Sequence, residues 1–306
     1  MLSILIPTYR YDCTELLKDI SIQANALKRE FDDFDYEIIV ADDCSESLYT
    51  ETLQRSISEI ENCILFVQEA NMGRAANRNK LIEMARFPWL LFIDADAQVF
   101  RTDFLHKYWM RRHKANVVCG GLESPKDAPV NDGNYTLRLC YEQAAEAHRT
   151  LEWRNKHPYA HFTTFNFLIR KDLMAKYRFD SRIKDYGHED TLLGCRLQAD
   201  GENILHIDNP LLHTGIDTNE QFLNKTNIAL QNLVKLNDPL LNQLPISRLY
   251  RKLKDVQIDR LIAHQEWLYK KLRKNLLGTH PSLFVFKVYK VFTFCRIQNG
   301  VSVGAG

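Results

Sequence analysis

The chain has 306 residues, of which 45% are hydrophobic and 26% are charged, and its formal net charge is +1. This composition excludes a disordered chain and a bundle of membrane-spanning helices, and the length allows one large core with an appendage. The charge is uneven, because residues 1–215 carry 26 basic and 33 acidic side chains whereas residues 216–306 carry 14 and 6. We therefore expect the two segments to have different surroundings or partners.

Short apolar runs alternate with helical patterns over the first third of the chain. The runs that predict β-strands lie at 2–6, 37–41, 64–67 and 89–93. Helices are predicted between them, the second capped by Ser45 and the third over 71–85. This alternation indicates an α/β fold with a mostly parallel sheet flanked by helices, where ligands bind beyond the carboxyl ends of the strands.

The middle of the chain continues this pattern, and the end does not. Further strands are predicted at 117–121 and 164–169, with a polar helix at about 135–153 between them. From Asn219 onward the periodicity is helical. We place a boundary near Gly215, which predicts a catalytic domain over 1–215 and a basic, mainly helical extension over 216–306.

The apolar run at 90–93 ends in Asp94 and Asp96, which are one residue apart. Side chains alternate along an extended segment, so both carboxylates can point to the same side. They repel each other unless a cation lies between them, and Mg²⁺ and Mn²⁺ prefer oxygen ligands. The spacing predicts a metal site for a phosphate-bearing substrate, with a solvated acidic turn as the alternative.

Seven scattered cysteines without a C-x-x-C pair argue against a disulfide framework and against a zinc site. The first residues lack the features of a signal peptide, and no stretch reaches the roughly 18 uncharged apolar residues of a membrane span. We therefore expect a cytoplasmic protein.

Five segments in this order together resemble family 2 glycosyltransferases of the GT-A fold: SILIPTYR, EIIVADDCS, NMGRAANRN, FIDADA and GHEDTLLGCRL. The resemblance covers residues 1–215. It implies an inverting, Mn²⁺- or Mg²⁺-dependent hexosyl- or N-acetylhexosaminyl-transferase of polysaccharide synthesis, with a UDP-linked donor as the first expectation. The acceptor would be a hydroxyl of a glycan or a lipid-linked glycan, and no nucleic acid is expected as a partner.

The resemblance also implies a donor site and a metal site. Arg74 and Arg78 are four residues apart and share a helix face, where they could meet a diphosphate or could simply be surface charges. The acids at 42–43 could instead form a solvated turn. The implied nucleotide-sugar contacts are Pro7, Thr8, Tyr9, Asp42, Asp43, Asn71, Gly73, Arg74, Arg78, Asp94 and Ala95, and the implied metal ligands are Asp94, Asp96 and His213, the last of which could equally be a structural histidine.

The acceptor side of the site is implied in the same way. Asp190 matches the general base, which takes the proton of the acceptor hydroxyl, and Glu189 would help to orient the acceptor. Both acids precede an apolar helical run, where they could also serve as ordinary caps. The implied acceptor-binding residues are Trp153, His161, Asn166 and His188.

The segment 283–294 is apolar and aromatic and is interrupted only by lysines. Together with the basic extension it fits a segment on an anionic membrane surface. The alternatives are packing on the catalytic domain and packing on a second subunit, which would make a homo-oligomer through the extension. For the whole chain, the rival function is a catalytically silent nucleotide-sugar- or carbohydrate-binding protein, against which the intact Asp94, Asp96 and Asp190 argue.

Overall fold

The computed structural model of the chain describes residues 1–127, 133–146, 149–160 and 162–303. The chain divides into two compact units. Unit 1 comprises Met1–Glu123, Ala147–Lys184 and Glu189–Gly215, and unit 2 comprises Ser124–Glu146, Asp185–His188 and Ile216–Gly306. Unit 2 thus includes two segments that precede Gly215, and a domain boundary at that residue stays a prediction.

The strands of unit 1 form a large sheet and a small one. They are β1 Leu2–Thr8, β2 Tyr36–Asp42, β3 Cys63–Val67, β4 Trp89–Ile93, β5 Ala97–Gln98, β6 Val117–Cys119, β7 Leu122–Glu123, β8 Asn166–Arg170, β9 Ile204–His206 and β10 Leu211–His213. The seven-stranded sheet has the order β3-β2-β1-β4-β8-β6-β9, and the small sheet has the order β5-β10-β7. In the large sheet only β8 runs antiparallel to its neighbours, which confirms the predicted mostly parallel α/β fold.

The helices of unit 1 cover the sheet, and those of unit 2 form a separate helical core. The helices of both units, in chain order, are α1 Thr14–Glu30, α2 Ser47–Ile57, α3 Arg74–Met84, α4 Phe104–Arg111, α5 Thr136–Glu146, α6 Leu151–Lys156, α7 Lys171–Tyr177, α8 Glu189–Ala199, α9 Asn219–Leu236, α10 Pro245–Asp255, α11 Ile258–Ala263, α12 Glu266–Leu276 and α13 Leu283–Gln298, with a short 3-10 helix at Leu241–Gln243. Of these, α5 and α9 to α13 belong to unit 2.

Alternation along the central strands builds a core on each face of the large sheet. Ile4 packs with the apolar side of α1, and its neighbour Leu5 packs on the other face with α3, α7 and α8. The strands β1, β2 and β4 are almost continuously apolar, as expected of parallel strands that are buried on both faces. Their fixed positions make the strand ends a rigid platform for the polar residues that follow them.

Strand β1 extends two residues beyond its predicted end. Pro7 lies within it although proline has no N–H to donate to a neighbouring strand. The pairing of β1 with β4 ends at Leu5 and Phe92, while β2 continues alongside Pro7. At Pro7 the strand β1 no longer pairs with β4, so no N–H donor is needed on that side. The strand can therefore continue to Thr8.

Three helix predictions are corrected. Helix α3 begins at Arg74 because Gly73, with a φ of 87°, lies outside the helical region. Ser45 is not the cap of α2; Glu46 occupies that position, and the Ser45 hydroxyl donates to Asp42 instead. The single helix predicted at about 135–153 is two helices, α5 and α6.

Helix α13 is part of the core of unit 2. Its buried residues Phe286, Tyr289 and Phe292 pack with side chains of α9 and α12. The Tyr289 hydroxyl donates to Asn227 Oδ1 at 3.0 Å and lies 3.1 Å from the Tyr269 hydroxyl. Four of the five aromatic residues in the run that suggested a membrane-facing tail are therefore buried inside the protein, and Phe284 is exposed. Within the described residues, no helix combines the length and the apolar character that a transmembrane span requires.

All seven cysteines have free thiols, in line with the prediction that there is no disulfide framework. Cys13, Cys119 and Cys295 are buried, and burial raises the pKa of the Cys13 and Cys119 thiols to about 12. These thiols are therefore protonated and unreactive at neutral pH.

Candidate active site

Three strands of the large sheet deliver polar residues to the same edge. Thr8 at the end of β1 is in register with Asp42 at the end of β2. Asp94 follows the end of β4, and its N–H donates to the Phe165 carbonyl at 2.9 Å. The carboxyl ends of neighbouring parallel strands meet at one edge, which is where sheets of this kind bind ligands.

The two acids after β2 organise the loops around them. Asp42 accepts hydrogen bonds from the backbone N–H and the hydroxyl of Ser45, at 2.9 and 2.5 Å. Asp43 accepts from the N–H groups of Met72 and Gly73, at 2.8 and 2.9 Å, and burial raises the pKa of this carboxyl. Both predicted nucleotide contacts are thus buried groups, of which Asp42 fixes the loop after β2 and Asp43 fixes the loop in front of α3.

Gly73 is required by the geometry of that loop. Its φ is 87°, and a Cβ atom on it would lie 2.1 Å from the Lys184 carbonyl oxygen. No other residue fits here without moving the backbone of 73 or 184. The close approach sets the direction in which α3 leaves the loop, and with it the positions of Arg74 and Arg78.

Arg78 is buried, with 2% of its side chain exposed, and it bridges two carboxylates. Its Nη2 donates to Asp94 Oδ1 at 2.7 Å and its Nη1 to Glu189 Oε1 at 3.2 Å. Arg74 shares this helix face, as predicted, but it is 46% exposed and lies 3.8 Å from Glu189 Oε1. Of the two arginines, Arg74 is the one with a surface that an anionic ligand can reach.

Helix α8 starts with the two predicted catalytic acids. Burial alone would raise the pKa of Glu189, but the guanidinium groups of Arg78 and Arg74 hold this pKa below its usual value. Burial and the negative charge of Glu189 raise the pKa of Asp190 to about 6. Asp190 Oδ1 accepts a hydrogen bond from the Thr191 N–H at 2.6 Å. Two adjacent carboxyls thus have pKa values displaced in opposite directions, the pattern of an acid–base site.

Asp96 is paired with a histidine from the small sheet. His213 in β10 is in register with Ala97 in β5, and its Nε2 lies 3.2 Å from Asp96 Oδ2. Burial alone would raise the pKa of Asp96, but the hydrogen bond to His213 holds this pKa below its usual value. A Cβ atom on Gly215 would lie 2.3 Å from Asp96 Oδ2, so a residue without a side chain is needed there.

This pair fits a divalent cation in part. Adjacent oxygen and nitrogen ligands at about 2.1 Å from an octahedral ion lie about 3 Å apart, close to the separation of Asp96 Oδ2 and His213 Nε2. Asp94, the third predicted ligand, is directed to Arg78 instead. Among the described residues no three His, Cys, Asp or Glu side chains form a site by themselves. A Mg²⁺-type site commonly completes its shell with waters and substrate phosphates.

The glycosyl transferase family 2 model matches residues 3–178. The chain belongs to glycosyltransferase family 2. It is therefore a glycosyltransferase that uses a nucleotide-sugar donor, and the predicted resemblance is confirmed. No curated protein matches the chain.

Solved structures of glycosyltransferases share the fold of this glycosyltransferase. A 1–349 fragment of S. aureus TarS matches 98% of this chain and 90% of its own length, with 16% identity and a TM-score of 0.52. The Pyrobaculum calidifontis mannosyltransferase PcManGT, in complex with GDP-Man and Mn²⁺, matches 97% and 86%, with 13% identity and a TM-score of 0.57. These likenesses confirm the predicted GT-A fold.

The remaining predicted donor contacts of this glycosyltransferase lie around the same loops. Thr8 is buried, and its hydroxyl donates to the Tyr11 carbonyl at 3.1 Å. Tyr9 is 42% exposed, and the Arg10 guanidinium lies 5.0 Å from its ring centroid. Asn71 is exposed and Ala95 is buried. Tyr9 and Asn71 can reach a ligand, whereas Thr8 and Ala95 shape the backbone beneath it.

The predicted acceptor residues have different environments. Asn166 is fully buried and its amide donates to the carbonyls of Gly121 and Asn209. Its side chain therefore links two backbone segments in the interior. Trp153 is 37% exposed and packs against His157. His188 belongs to unit 2, and the predicted residue at 161 lies outside the described residues.

Sequence reasoning missed several residues of this glycosyltransferase. Tyr11 Oη and Thr214 Oγ1 lie 3.0 Å apart, which ties the loop after β1 to the end of β10. Ser45 was not missed but was assigned the wrong role, since it is predicted as a helix cap and instead donates to Asp42 in the turn-type pattern given as the alternative for residues 42–43. No comparable signal exists for Tyr11 and Thr214, which are 203 residues apart.

Proposed function

We propose that this glycosyltransferase transfers a hexose or N-acetylhexosamine from a nucleoside diphosphate, with UDP as the first candidate, to a hydroxyl of a glycan or lipid-linked glycan. The reaction inverts the anomeric configuration and depends on Mn²⁺ or Mg²⁺. The catalytic domain comprises residues 1–215, residues 216–306 form the extension, and the enzyme acts in the cytoplasm in polysaccharide synthesis.

One observation carries this proposal. Asp190 is adjacent to Glu189, which Arg78 connects to Asp94 at the end of β4. Through Glu189 and the buried Arg78, the candidate base Asp190 is therefore linked to the end of β4, just before Asp96. A carboxyl whose pKa is raised to about 6 by burial and a neighbouring carboxylate is a feature that favours a catalytic site over a silent binding site.

The base acts on the acceptor. Asp190 in its ionised form takes the proton of the acceptor hydroxyl while the oxygen attacks the anomeric carbon. The bond to the nucleoside diphosphate breaks as the new bond forms on the opposite face of the sugar. A single displacement of this kind inverts the configuration.

The donor side must neutralise the negative charge of the leaving group. Arg74 is the exposed cation at the start of α3, and the N-terminal end of that helix also favours an anion. Asp96 and His213 are the residues that would hold the divalent cation, and the cation would supply further positive charge to the diphosphate.

Transfer assays with UDP-, GDP- and CDP-linked sugars, with and without Mn²⁺, test the proposal. Donor binding is measured in parallel as the rise in melting temperature, because a ligand that binds the native state stabilises it. We expect wild-type protein to bind one donor class and to consume it, and Asp190→Asn to bind it without turnover. Asp103→Asn, which changes an exposed carboxylate, is the matched control.

Two results would contradict the proposal. Wild-type protein that binds a nucleotide sugar but neither transfers nor hydrolyses it would be the silent binding protein. Turnover that Asp190→Asn leaves intact would remove Asp190 from the catalytic step.

A further inference from the structure

Helix α12 exposes a stripe of one tryptophan and three lysines. These residues are spaced at i, i+3, i+4 and i+7 and therefore share one face of the helix. The other face packs into the core of unit 2. The exposed stripe comprises Trp267, Lys270, Lys271 and Lys274, and the buried face comprises Tyr269, Leu272 and Leu276.

Trp267 is unusually exposed for its type. Its side chain is 73% exposed, although tryptophan is highly buried on average. The Lys271 ammonium lies 5.1 Å from the ring centroid, within the range of a cation–π contact. An exposed tryptophan ring among cations is an arrangement that proteins use at the boundary between water and lipid headgroups.

A cavity of about 460 Å³ adjoins this stripe. It is lined by Lys270, Arg273, Lys274, Leu277 and Gly278. Cationic side chains surround an apolar floor, which suits a phosphate group attached to an apolar chain. Arg273 lies 3.5 Å from Glu220 and Lys270 lies 3.7 Å from Glu266, and both lysines of the stripe that line the cavity are exposed.

The preceding helices repeat this combination of exposed apolar and basic residues. On α10, the exposed Leu249 and Lys252 share a face with Val256, which follows the helix and is 62% exposed. On α11, Ile258 and Leu261 are 47% and 61% exposed. Residues 245–277 contain nine basic and three acidic side chains, so this segment is strongly cationic.

We propose that the surface around the exposed stripe of α12, with Trp267 and its three lysines, docks on the anionic headgroups of a membrane. The charge of the surface is complementary to anionic lipid, and each lysine near such a surface adds to the affinity. A second copy of the chain is a poorer partner because an isologous contact would oppose like charges. Phe286, Tyr289 and Phe292 of α13 are not involved, since they lie in the core.

Co-sedimentation of the full-length protein with phosphatidylcholine vesicles, with and without phosphatidylglycerol, tests the proposal. We expect binding only to the anionic vesicles, and weaker binding at higher salt. The triple variant Lys270→Gln, Lys271→Gln, Lys274→Gln should lose on the order of 100-fold in affinity. The matched control, Lys18→Gln, Lys28→Gln, Lys114→Gln, removes three exposed lysines from unit 1 and should bind like wild type.

Quenching of tryptophan fluorescence by brominated lipid tests the contact itself. Trp267→Phe should bind the vesicles but lose the quenching seen with wild type, because the other three tryptophans lie elsewhere. Equal losses in the two triple variants would overturn the proposal, as would quenching that persists in Trp267→Phe. A dimer that dissociates in Trp267→Ala, with vesicle binding unchanged, would assign the surface to a second copy and also overturn it.

Discussion

Arg78 and Glu189, 111 residues apart in the sequence, form a buried ion pair with an Nη1–Oε1 distance of 3.2 Å. Arg78 also holds Asp94 at 2.7 Å, so one guanidinium group connects α3, α8 and the end of β4. Arg74 Nη1 lies 3.8 Å from the same Glu189 oxygen, so two guanidinium groups face the two carboxylates of this cluster. Beside Glu189, the pKa of Asp190 is raised, first by burial and then by the negative charge of Glu189.

Removing the arginine should destabilise the fold. Arg78→Met leaves two carboxylates without their cation, and breaking a buried pair typically costs about 3–5 kcal/mol. Urea denaturation measures the change in the free energy of unfolding. Arg74→Met is the control, since Arg74 is 46% exposed and should contribute less than about 1 kcal/mol. Equal, small losses in both variants would show that Arg78 is not a buried bridge.

The rate of sugar transfer should depend on the protonation of Asp190. A general base acts only when ionised, so kcat should rise as the pH increases through about 6, the pKa to which burial and Glu189 raise this carboxyl. Asp190→Asn should keep donor affinity and lose about 100- to 10,000-fold in kcat.

Glu189→Gln tests the cause of this pH dependence. Loss of the neighbouring negative charge should lower the pKa of Asp190 and move the acidic limb of the kcat profile to lower pH. The acidic limb should stay at a higher pH than that of an exposed carboxyl, because burial, the larger cause of the raised pKa, remains. An acidic limb that stays in place would mean that another group titrates.

Metal binding should depend on Asp96 and His213 more than on Asp94. Calorimetric titration of Mn²⁺ in the presence of the nucleoside diphosphate should show about 10- to 100-fold weaker binding for Asp96→Asn and for His213→Ala. Asp94→Asn should lose less, because Asp94 is already paired with Arg78. If Asp94→Asn weakens Mn²⁺ binding as much as Asp96→Asn does, then Asp94 leaves Arg78 to become a ligand.

The sequence predicts those features that local patterns determine. Strand β4 was predicted at 89–93 with its observed bounds, because an apolar run between Pro88 and Asp94 has local signals at both ends. The sequence also predicts that Asp190 lies at the start of a helix, which is α8. The extended conformation predicted for Asp94 and Asp96 is corrected, because the chain turns after β4 and the Ala97 N–H donates to the Asp94 carbonyl at 3.1 Å. The spacing of the two acids reveals neither this turn nor their partners, Arg78 and His213.

Partners that are distant in sequence could not be predicted. Arg78 was expected to face a diphosphate, and its burial depends on Glu189, far along the chain. The family resemblance implies that Asn166 binds the acceptor, yet its amide donates to carbonyls in the core. Residues 283–294 were ambiguous for the same reason, since the core of unit 2 that receives their aromatic rings is assembled from separate helices.

The tail prediction can be tested with two phenylalanines of α13. Phe286 is 2% exposed and packs with Phe222, whereas Phe284 is 75% exposed. Phe286→Ala should lower the free energy of unfolding by about 3–5 kcal/mol, as expected of a large-to-small change in a core. Phe284→Ala should change it by less than about 0.5 kcal/mol. Denaturation of both variants provides the measurement. If Phe286→Ala were as mild as Phe284→Ala, the aromatic face of α13 would not be buried in the core, and the membrane interpretation of this segment would regain its support.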